Sequence, residues 1–376
     1  MKSFPLLSSK ISLAAILTIL IFQATTSLLF SQSFKLDTLK DGGNYYFPVV
    51  DISENAEASR KINQYLQIKL LHQLPKSYKN SDPFYYARNN NQCGQTIFQG
   101  FSGENVNASI LKISIDIEQS YCTGMGLDWY LNQYYFDINT GEAIQLEDLL
   151  SIDKQEGFKA KIVQLFQDEL RGYLGQIEKD IQQAEDADEK LFYQEQYDFY
   201  QECLENTDVG DFRYYTYRFS DSTITVNRNK CYWNETGRAL AEKPNPKAII
   251  GGPELLPYLS GYGKYLYGYS QKTSTKGRLV NKHLKGTIGG KYPIEAFVQR
   301  YDERIEIFYW YNSTKQLLQW KGKMNEKLSE SVYAEDNDKE IAQVLLNFTQ
   351  NKGKWQASGS WMGSNGKTYT IDLVEE

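Results

Sequence analysis

Four carboxylates lie close together in one segment of this chain, and their types and spacing could do chemistry. Within YYFDINTGEAIQLEDLL, residues 134–150, they are Asp137, Glu142, Glu147 and Asp148. Two carboxylates about 5–10 Å apart can hydrolyse a glycosidic bond, and a set of oxygen ligands can bind Ca²⁺. The spacing argues against a calcium loop of the EF-hand type. Counted from Asp137, such a loop needs glycine at its sixth position, where Glu142 stands.

The same acids have a structural interpretation, which we favour. Residues 139–141, Asn-Thr-Gly, have the composition of a tight hairpin turn, because glycine readily adopts the positive φ that such a turn needs. Asp137 and Glu142 would then face each other across the turn in solvent. Glu147 and Asp148 would begin a short helix, where acids complement the positive helix end. The segment therefore predicts neither a catalytic residue nor a metal site.

No other pattern in the sequence indicates a reaction or a cofactor. The two histidines, His72 and His283, are too few for histidine-rich metal sites and argue against histidine-based catalysis. The G-x-S-x-G elbow of serine hydrolases is missing, and the glycine-containing stretches lack the pattern of dinucleotide and phosphate loops. We therefore predict a non-enzymatic protein without a cofactor. A glycan hydrolase with two convergent carboxylates is the alternative.

Hydrophobic periodicity indicates a sheet covered by helices. In LKISIDIE, residues 111–118, apolar and polar side chains alternate as they do in a half-buried antiparallel strand. WYLNQYYFDI, residues 129–138, alternates in the same way. ENAEASRKINQYLQIKLL, residues 54–71, and EGFKAKIVQLFQDELRGYL, residues 156–174, each carry an apolar stripe at helical spacing. These patterns predict a curved antiparallel sheet with packed helices.

The sequence divides into four predicted parts. They are a signal peptide over 1–32, an α+β envelope domain over 33–260, a linker over 261–283 and an all-β domain over 284–376. In the last part, apolar runs separated by polar turns predict seven or eight short antiparallel strands, arranged as a meander or a small barrel. The predicted fold class is therefore an α+β N-terminal domain followed by a small all-β domain.

The N-terminus has the pattern of an export signal. Lys2 and Lys10 precede the apolar run ISLAAILTILIF, and TTSLLFSQS supplies small and polar residues near a cleavage point. The apolar run is shorter than the roughly 20 residues that a membrane span needs; an uncleaved anchor is the alternative. We expect a periplasmic or extracellular protein with no membrane span after removal of the signal.

Four cysteines follow the signal: Cys93, Cys122, Cys203 and Cys231. An even number of cysteines in an exported chain favours disulfides. We favour pairing Cys93 with Cys122 and Cys203 with Cys231, because each pair flanks a stretch that should fold locally. Free thiols and a four-thiolate zinc site are the alternatives. The zinc site is disfavoured because the sequence has no C-x₂₋₄-C pair.

The predicted linker and the net charge bear on binding partners. Tyr262, Tyr265 and Tyr267 are candidates for ligand binding, since tyrosine rings can stack on sugars; packing of the linker against its neighbouring domains is the alternative that we favour. The net charge of −6 becomes −8 when residues 1–32, with two lysines and no acid, are removed. This balance argues against nucleic acid as a partner and favours cationic partners.

Several of these segments together resemble an exported domain of bacterial envelope proteins. They are KINQYL, LKISIDIE and a phrase made of an aromatic strand, a D-x-x-T-G turn and L-x-D-L-L. The phrase is carried by Phe136, Asp137, Thr140, Gly141, Leu146, Asp148, Leu149 and Leu150. RYYTYRFSDSTITV at 213–226 resembles the domain's later hairpin, and PELLPYL at 253–259 resembles its closing helix. The resemblance covers residues about 35–260; it departs from the family in NKCYWNETGRALAEKPNPKAIIGG, where the family has a shorter, more apolar connection.

This family occurs in the extracellular part of lysozyme-sensing anti-sigma factors and ahead of the catalytic module of some peptidoglycan deacetylases. The resemblance implies a binding module whose partner is a protein, for example a lysozyme-like one, or a peptidoglycan fragment. It does not imply deacetylase activity, because the metal-binding motifs of those enzymes belong to a separate domain and are not found in this sequence. A structural or assembly factor of the envelope is a further alternative, and the sequence leaves the oligomeric state open.

Overall fold

The computed structural model describes most of the chain after the predicted signal. The described residues are 33–41, 43, 45–89, 96–120, 127–207, 215–228, 231, 235–272, 274–323, 326–332 and 341–376. They form an N-terminal α+β region with antiparallel sheets and helices, followed by a closed antiparallel barrel of eight strands. The predicted fold class is therefore confirmed. The predicted signal, residues 1–32, lies outside the described residues.

The first part of the chain folds as a hairpin, two helices and a four-stranded sheet. The hairpin pairs β1 (Phe34–Lys40) with β2 (Tyr46–Ile52), and helices α1 (Ala56–Leu71) and α2 (Tyr85–Asn89) follow. The next strands form an antiparallel sheet in chain order. They are β3 (Thr96–Asn105), β4 (Ile110–Ser120), β5 (Leu127–Asp137) and β6 (Ala143–Ile144).

The predicted alternation decides which face of this sheet is buried. Leu111 lies opposite Phe136 and Ile113 lies opposite Tyr134 across β4 and β5. These side chains enter a core with the apolar stripe of α1, which includes Ile62. Since alternate residues of a strand point to the same face, the polar residues of 111–118 lie on the other face of the sheet.

The same core also receives side chains from the barrel. Phe297, Phe308 and Trp310 are buried in it. The ring of Phe297 meets the ring of Tyr65 on α1 edge-on, at a centroid distance of 5.5 Å. Each large apolar side chain buried in this way stabilises the fold by roughly 1.5–3 kcal/mol. The α+β region and the barrel therefore share a core.

Two long helices and a second sheet complete the α+β region. The short helix α3 (Leu146–Leu149) leads to the hairpin of α4 (Gln155–Gln183) and α5 (Ala187–Glu205), and α6 (Glu235–Leu240) lies further along the chain. The second sheet consists of β7 (Thr216–Phe219), β8 (Thr223–Asn227) and β9 (Lys247–Gly251). Short 3₁₀ helices lie at Lys79–Ser81, Ile152–Lys154 and Gly252–Glu254. The stripe of α4 that begins with Phe158 packs on the second sheet in a core of its own.

The segment predicted as a linker contributes to the packing of both regions. Helix α7 (Gly261–Leu266) is capped by Ser260, whose hydroxyl oxygen accepts the Gly263 N–H at 3.0 Å. Leu266 is buried in the core that contains the second sheet. Leu279 is buried in the core of the barrel.

The barrel is an up-and-down arrangement closed by its first and last strands. Its strands are β10 (His283–Ile288), β11 (Tyr292–Tyr301), β12 (Arg304–Tyr311), β13 (Leu318–Lys323), β14 (Leu328–Val332), β15 (Ala342–Asn351), β16 (Lys354–Gly363) and β17 (Thr368–Glu375). Each strand pairs with the next, and β10 pairs with β17, with Leu284 opposite Glu375. Each described strand of the barrel therefore has a partner strand on both of its sides.

Candidate functional site

The acidic motif forms the predicted turn, and this turn packs against helix α1. Gly141 has a φ of +73°, and its N–H donates to the carbonyl of Asp137 at 2.8 Å. The carboxylate of Asp137 accepts the Asn139 N–H at 2.9 Å. A Cβ at position 141 would lie 2.5 Å from the carbonyl oxygen of Ala58, so glycine is required for both conformation and space. The prediction that Asp137 shapes the backbone is confirmed.

The expectation that Asp137 and Glu142 lie in solvent is wrong. Their exposed fractions are 1% and 6%. The hydroxyl of Tyr262 on α7 donates to Oδ2 of Asp137 at 3.2 Å. Burial raises the pKa of Asp137 and the Glu142 carboxylate adds to the rise, while the Asn139 N–H opposes it. A hairpin turn in sequence does not reveal which later segment of the chain will cover it.

Glu142 pairs with a lysine at the end of the predicted linker. Lys282 Nζ donates to Glu142 Oε1 at 2.9 Å and to Glu375 Oε1 at 2.6 Å, and all three side chains are buried. Burial alone would lower the pKa of Lys282, but the two carboxylates outweigh burial and raise it. The lysine therefore stays charged and joins the motif to strand β17.

The carboxylate of Asp148 makes several contacts, all structural; one is with Arg278, whose Nη1 lies 3.8 Å from Oδ1 of Asp148. Its Oδ2 accepts the Gln145 N–H at 2.8 Å at the start of α3, as predicted for an acid at a helix start. The same oxygen lies 3.1 Å from Lys276 Nζ, with both side chains fully buried. Lys276 also donates to the carbonyl of Ala143 at 3.0 Å. Burial lowers the pKa of Lys276 more than Asp148 and Glu142 raise it.

A further set of ion pairs joins helix α1 to the barrel. Arg60 donates from Nη1 to Glu295 Oε2 at 3.0 Å and from Nη2 to Glu376 Oε2 at 2.5 Å. It also pairs with Glu57, one helical turn earlier, at 2.6 Å. Burial opposes a charged guanidinium, but Glu57 and Glu295 outweigh burial and raise the pKa of Arg60. The barrel is thus fixed to α1 by charge as well as by the shared core.

We call six residues the charged joint. They are three acids of the motif, Asp137, Glu142 and Asp148, the two lysines Lys276 and Lys282, and Glu375 of strand β17. In the joint, Glu142 and Asp148 each bind a lysine and Asp137 binds Tyr262, rather than all three meeting at one ion or sugar. Sequence reasoning missed the two lysines because their surroundings have the composition of a linker. The signal that could have found them is the excess of basic residues over 264–282, which follows a motif rich in acids.

The tyrosines considered as ligand contacts differ in burial. Tyr262 and Tyr267 are buried in the core that contains the second sheet, as the packing alternative expected, so their rings are closed to a sugar. Tyr265 is half-buried, and its hydroxyl accepts a hydrogen bond from Asn139 Nδ2 at 3.3 Å. A ligand role for Tyr265 stays a prediction.

The predicted disulfide between Cys203 and Cys231 is present, with the two Cα atoms 5.6 Å apart. It joins the end of α5 to the segment that follows β8. Cys93 and Cys122 lie outside the described residues, and their pairing stays a prediction. Strands β3 and β4, which adjoin these two cysteines in sequence, are paired at the ends nearest to them.

Three clefts lie where the barrel meets the α+β region. One, of about 330 Å³, we call the amide cleft; it is lined by Tyr65, Lys69, Gln145, Asn281, Phe297, Gln299, Arg300 and Glu306. The others, of about 490 and 440 Å³, lie between the segment after α1 and residues 310–317. Among the described residues that line these three clefts, Glu306 is the one carboxylate, whereas glycan hydrolysis requires two.

The outer face of the four-stranded sheet presents apolar side chains to solvent. Trp129 and Leu131, alternate residues of β5, are 63% and 53% exposed. Leu131 lies opposite Asp116 of β4, which is exposed as well. We call Trp129, Leu131 and Asp116 the sheet-face patch. Exposed aromatic and aliphatic side chains that adjoin on a strand suit contact with another molecule.

The described part of the chain, residues 33–376 with the gaps given above, bears on metal binding and membrane crossing. Within it, histidine, cysteine, aspartate and glutamate side chains form no group of three or more that could hold a metal ion. None of the helices described there is both long enough and apolar enough to cross a membrane.

No protein-family model matches the chain, and a search of curated proteins finds no match. The resemblance to the exported envelope domain stays a prediction.

Proposed function

We propose that this chain is an exported, non-enzymatic binding protein of a bacterial cell envelope. Its ligand is a protein, for example a lysozyme-like one, or a peptidoglycan fragment. The placement of the motif acids carries the proposal, because Glu142 and Asp148 are buried and each is engaged by a lysine. A general acid must reach its substrate within hydrogen-bond distance, so these carboxylates are suited to support a fold. The predicted export signal and the predicted resemblance to the envelope domain support the location.

The sheet-face patch is the contact surface in this proposal. Interfaces depend on a few anchors, among which tryptophan is enriched, and Trp129 stands on a strand whose other face is held by the core. The exposed Asp116 and the net charge of −8 without residues 1–32 favour a cationic protein, since opposite charges speed encounter. Salt screens such attraction, with a Debye length of about 10 Å at 0.1 M ionic strength.

A pull-down tests the proposal. The purified protein is mixed with a cationic muramidase and, separately, with peptidoglycan sacculi, at low and at high salt. We expect binding that weakens with salt for the muramidase. Trp129→Ala should weaken binding about ten-fold or more, in line with the loss of an interface anchor. Tyr292→Ala, a change of another exposed aromatic residue on the barrel, is the matched control and should bind like the wild type.

Two results would contradict the proposal. One is release of new reducing ends from the sacculi, which would show glycan hydrolysis. The other is absence of binding to both the muramidase and the sacculi at low salt.

A further inference from the structure

The amide cleft is built by both regions of the molecule. Tyr65 and Lys69 come from helix α1, Phe297 and Arg300 come from β11, and Glu306 comes from β12. Its volume of about 330 Å³ falls within the range of about 300–1,000 Å³ typical of small-molecule sites. Such sites occur preferentially where two domains meet. The cleft is also distinct from the sheet-face patch, with which it has no lining residue in common.

Two buried amide atoms of the lining have no hydrogen-bond partner among the described residues. They are Nδ2 of Asn281, a donor, and Oε1 of Gln299, an acceptor. Asn281 is only 2% exposed. Buried polar atoms are almost always paired, and leaving one unpaired destabilises a protein. An unpaired donor and an unpaired acceptor lining one cleft are complementary to the C=O and N–H of a secondary amide.

The backbone accounts for the position of both amides. Asn281 has a φ of +65°, and its N–H donates to the carbonyl of Val298 at 2.7 Å. Asparagine tolerates this conformation better than most residues. Gln299 lies at an irregularity in the pairing of β11 with β12, between Val298 and Arg300. Irregularities of this kind re-aim side chains and are common next to functional sites.

The charges of the lining favour an anionic ligand. Lys69 is exposed, and its Nζ lies 3.1 Å from the hydroxyl oxygen of Tyr65. Arg300 lines the cleft beside its ion pair with Asp302, at 3.0 Å. Glu306 accepts a hydrogen bond from Gln319. Two cations and one carboxylate lie among the lining residues, but Asp302 beside them already pairs with Arg300, so Lys69 is the cation best placed for a ligand carboxylate. Ammonium groups bind carboxylates through charge-assisted hydrogen bonds.

We infer that the amide cleft binds a small ligand that carries one carboxylate and one secondary amide. The carboxylate lies near Lys69 and Arg300, and the amide pairs with Asn281 and Gln299. N-acylated amino acids or peptides and N-acetylated sugar acids share this chemistry. The inference deepens the proposed function, on which it rests, by naming the ligand class of one site.

Calorimetric titration of the purified protein tests the ligand class. The probes are N-acetylmuramic acid, N-acetyl-alanyl-alanine and N-acetylglucosamine. The first two carry a carboxylate and an amide, whereas the third has the amide alone. We expect N-acetylglucosamine to bind about ten-fold more weakly than the better of the other two, because it cannot form the charge-assisted bonds. The order of the first two identifies a sugar or a peptide source.

Variants that are expected to weaken binding and a variant that is expected to strengthen it distinguish an effect on binding from a general loss of folding. Lys69→Met should weaken binding of the carboxylate probes, and Asn281→Gly should do so while keeping the positive φ. Glu306→Gln should strengthen binding, because it removes the negative charge and keeps an acceptor for Gln319. Lys179→Met, which removes an exposed lysine of α4 far along the chain, is the matched control and should leave affinity unchanged.

The following results would overturn the inference. One is equal affinity for N-acetylglucosamine and the carboxylate probes, and another is unchanged affinity in both Lys69→Met and Asn281→Gly. Absence of binding by every probe would also overturn it. If the protein then still binds the muramidase or sacculi, the proposed function stands without this site. If a probe binds but neither the muramidase nor the sacculi bind, the inferred site stands and the proposed binding of those macromolecules does not.

Discussion

At the residue scale, the contact between Lys276 and Asp148 ties a segment before the barrel to the acidic motif. Both side chains are fully buried, and the ammonium lies 3.1 Å from the carboxylate. Removing two charges from water is costly, and a buried pair is stable only while both partners are present. The pair therefore favours this arrangement of the two segments mainly because an arrangement that buries one partner without the other is destabilised.

Replacing Lys276 by methionine tests this role. The substitution leaves Asp148 buried without its lysine, so we expect the free energy of unfolding to fall by about 3–5 kcal/mol. Urea unfolding measures the change. Lys272→Met, at an exposed position of the same segment, is the control and should be near neutral. Adding Asp148→Asn to Lys276→Met should restore part of the loss, and full wild-type stability of Lys276→Met alone would contradict the prediction.

Residue patterns predict the turn at Gly141 but not the partners of the acids beside it. Glycine at a positive φ and an acid at a helix start are local requirements, so they can be predicted from neighbouring residues. The pairing of Glu142 with Lys282 joins positions far apart in sequence. A lysine in a polar stretch has the same local appearance whether it ends in solvent or in a buried pair.

At the scale of elements, the hydrophobic periodicity of a segment predicts the longer strands and helices of this protein. The alternation of 111–118 became β4, and the stripe of 156–174 became the first part of α4. The segment 261–283 was harder to predict because α7 is a single short helix. A helix of that length carries too few residues to show a clear apolar stripe.

The disulfide between Cys203 and Cys231 should stabilise the helical hairpin element. Its cysteines are 28 positions apart. Closing a loop of that size lowers the conformational entropy of the unfolded chain, which stabilises the folded state by roughly 3–4 kcal/mol. We expect Cys203→Ala combined with Cys231→Ala to lose about that much in the free energy of unfolding. Chemical denaturation without reductant gives the measurement.

Thiol titration provides the accompanying control. The unfolded wild-type protein without reductant should show no free thiol if Cys93 also pairs with Cys122. Two free thiols would mean that Cys203–Cys231 is the one disulfide present, and four free thiols would contradict both disulfides.

At the scale of the whole molecule, the shared core and the charged joint couple the α+β region to the barrel. Phe297 belongs to the barrel but is buried against α1, and its ring also lies 5.1 Å from the ring of His283. Burial lowers the pKa of His283 well below its usual value, and burial also lowers the pKa of His72 to about 4. Both histidines are therefore neutral in the folded protein at neutral pH.

This burial predicts a loss of stability in mild acid. Below a pH of about 6.5 both histidines are protonated in the unfolded chain but not in the folded chain. The free energy of unfolding therefore decreases as the pH is lowered. For His72 the loss continues until its folded pKa of about 4, and it amounts to at most about 3.4 kcal/mol at 1.36 kcal/mol per pKa unit. The raised pKa of Asp137 acts in the opposite direction at low pH.

His72→Asn isolates the histidine contribution, because asparagine also tolerates the positive φ of 56° at this position. Urea unfolding at pH 7 and at about pH 4.5 should show a smaller loss for the variant than for the wild type. An equal loss in the two proteins would contradict the role of His72. Comparing the two proteins cancels the effect of Asp137, which both retain.

The contacts of strand β17 and of Glu376, the residue after it, have a kinetic consequence. Glu375 reaches Lys282, and Glu376 reaches Arg60 on the first long helix, 316 positions earlier in the sequence. Barrel closure also requires β17 to meet β10. Contacts between such distant positions carry a high loop-closure entropy and slow the search for the native state. The contact between Arg60 and Glu376 therefore forms only once β17 is in place, whereas Arg60 can pair with Glu57 as soon as its own helix forms.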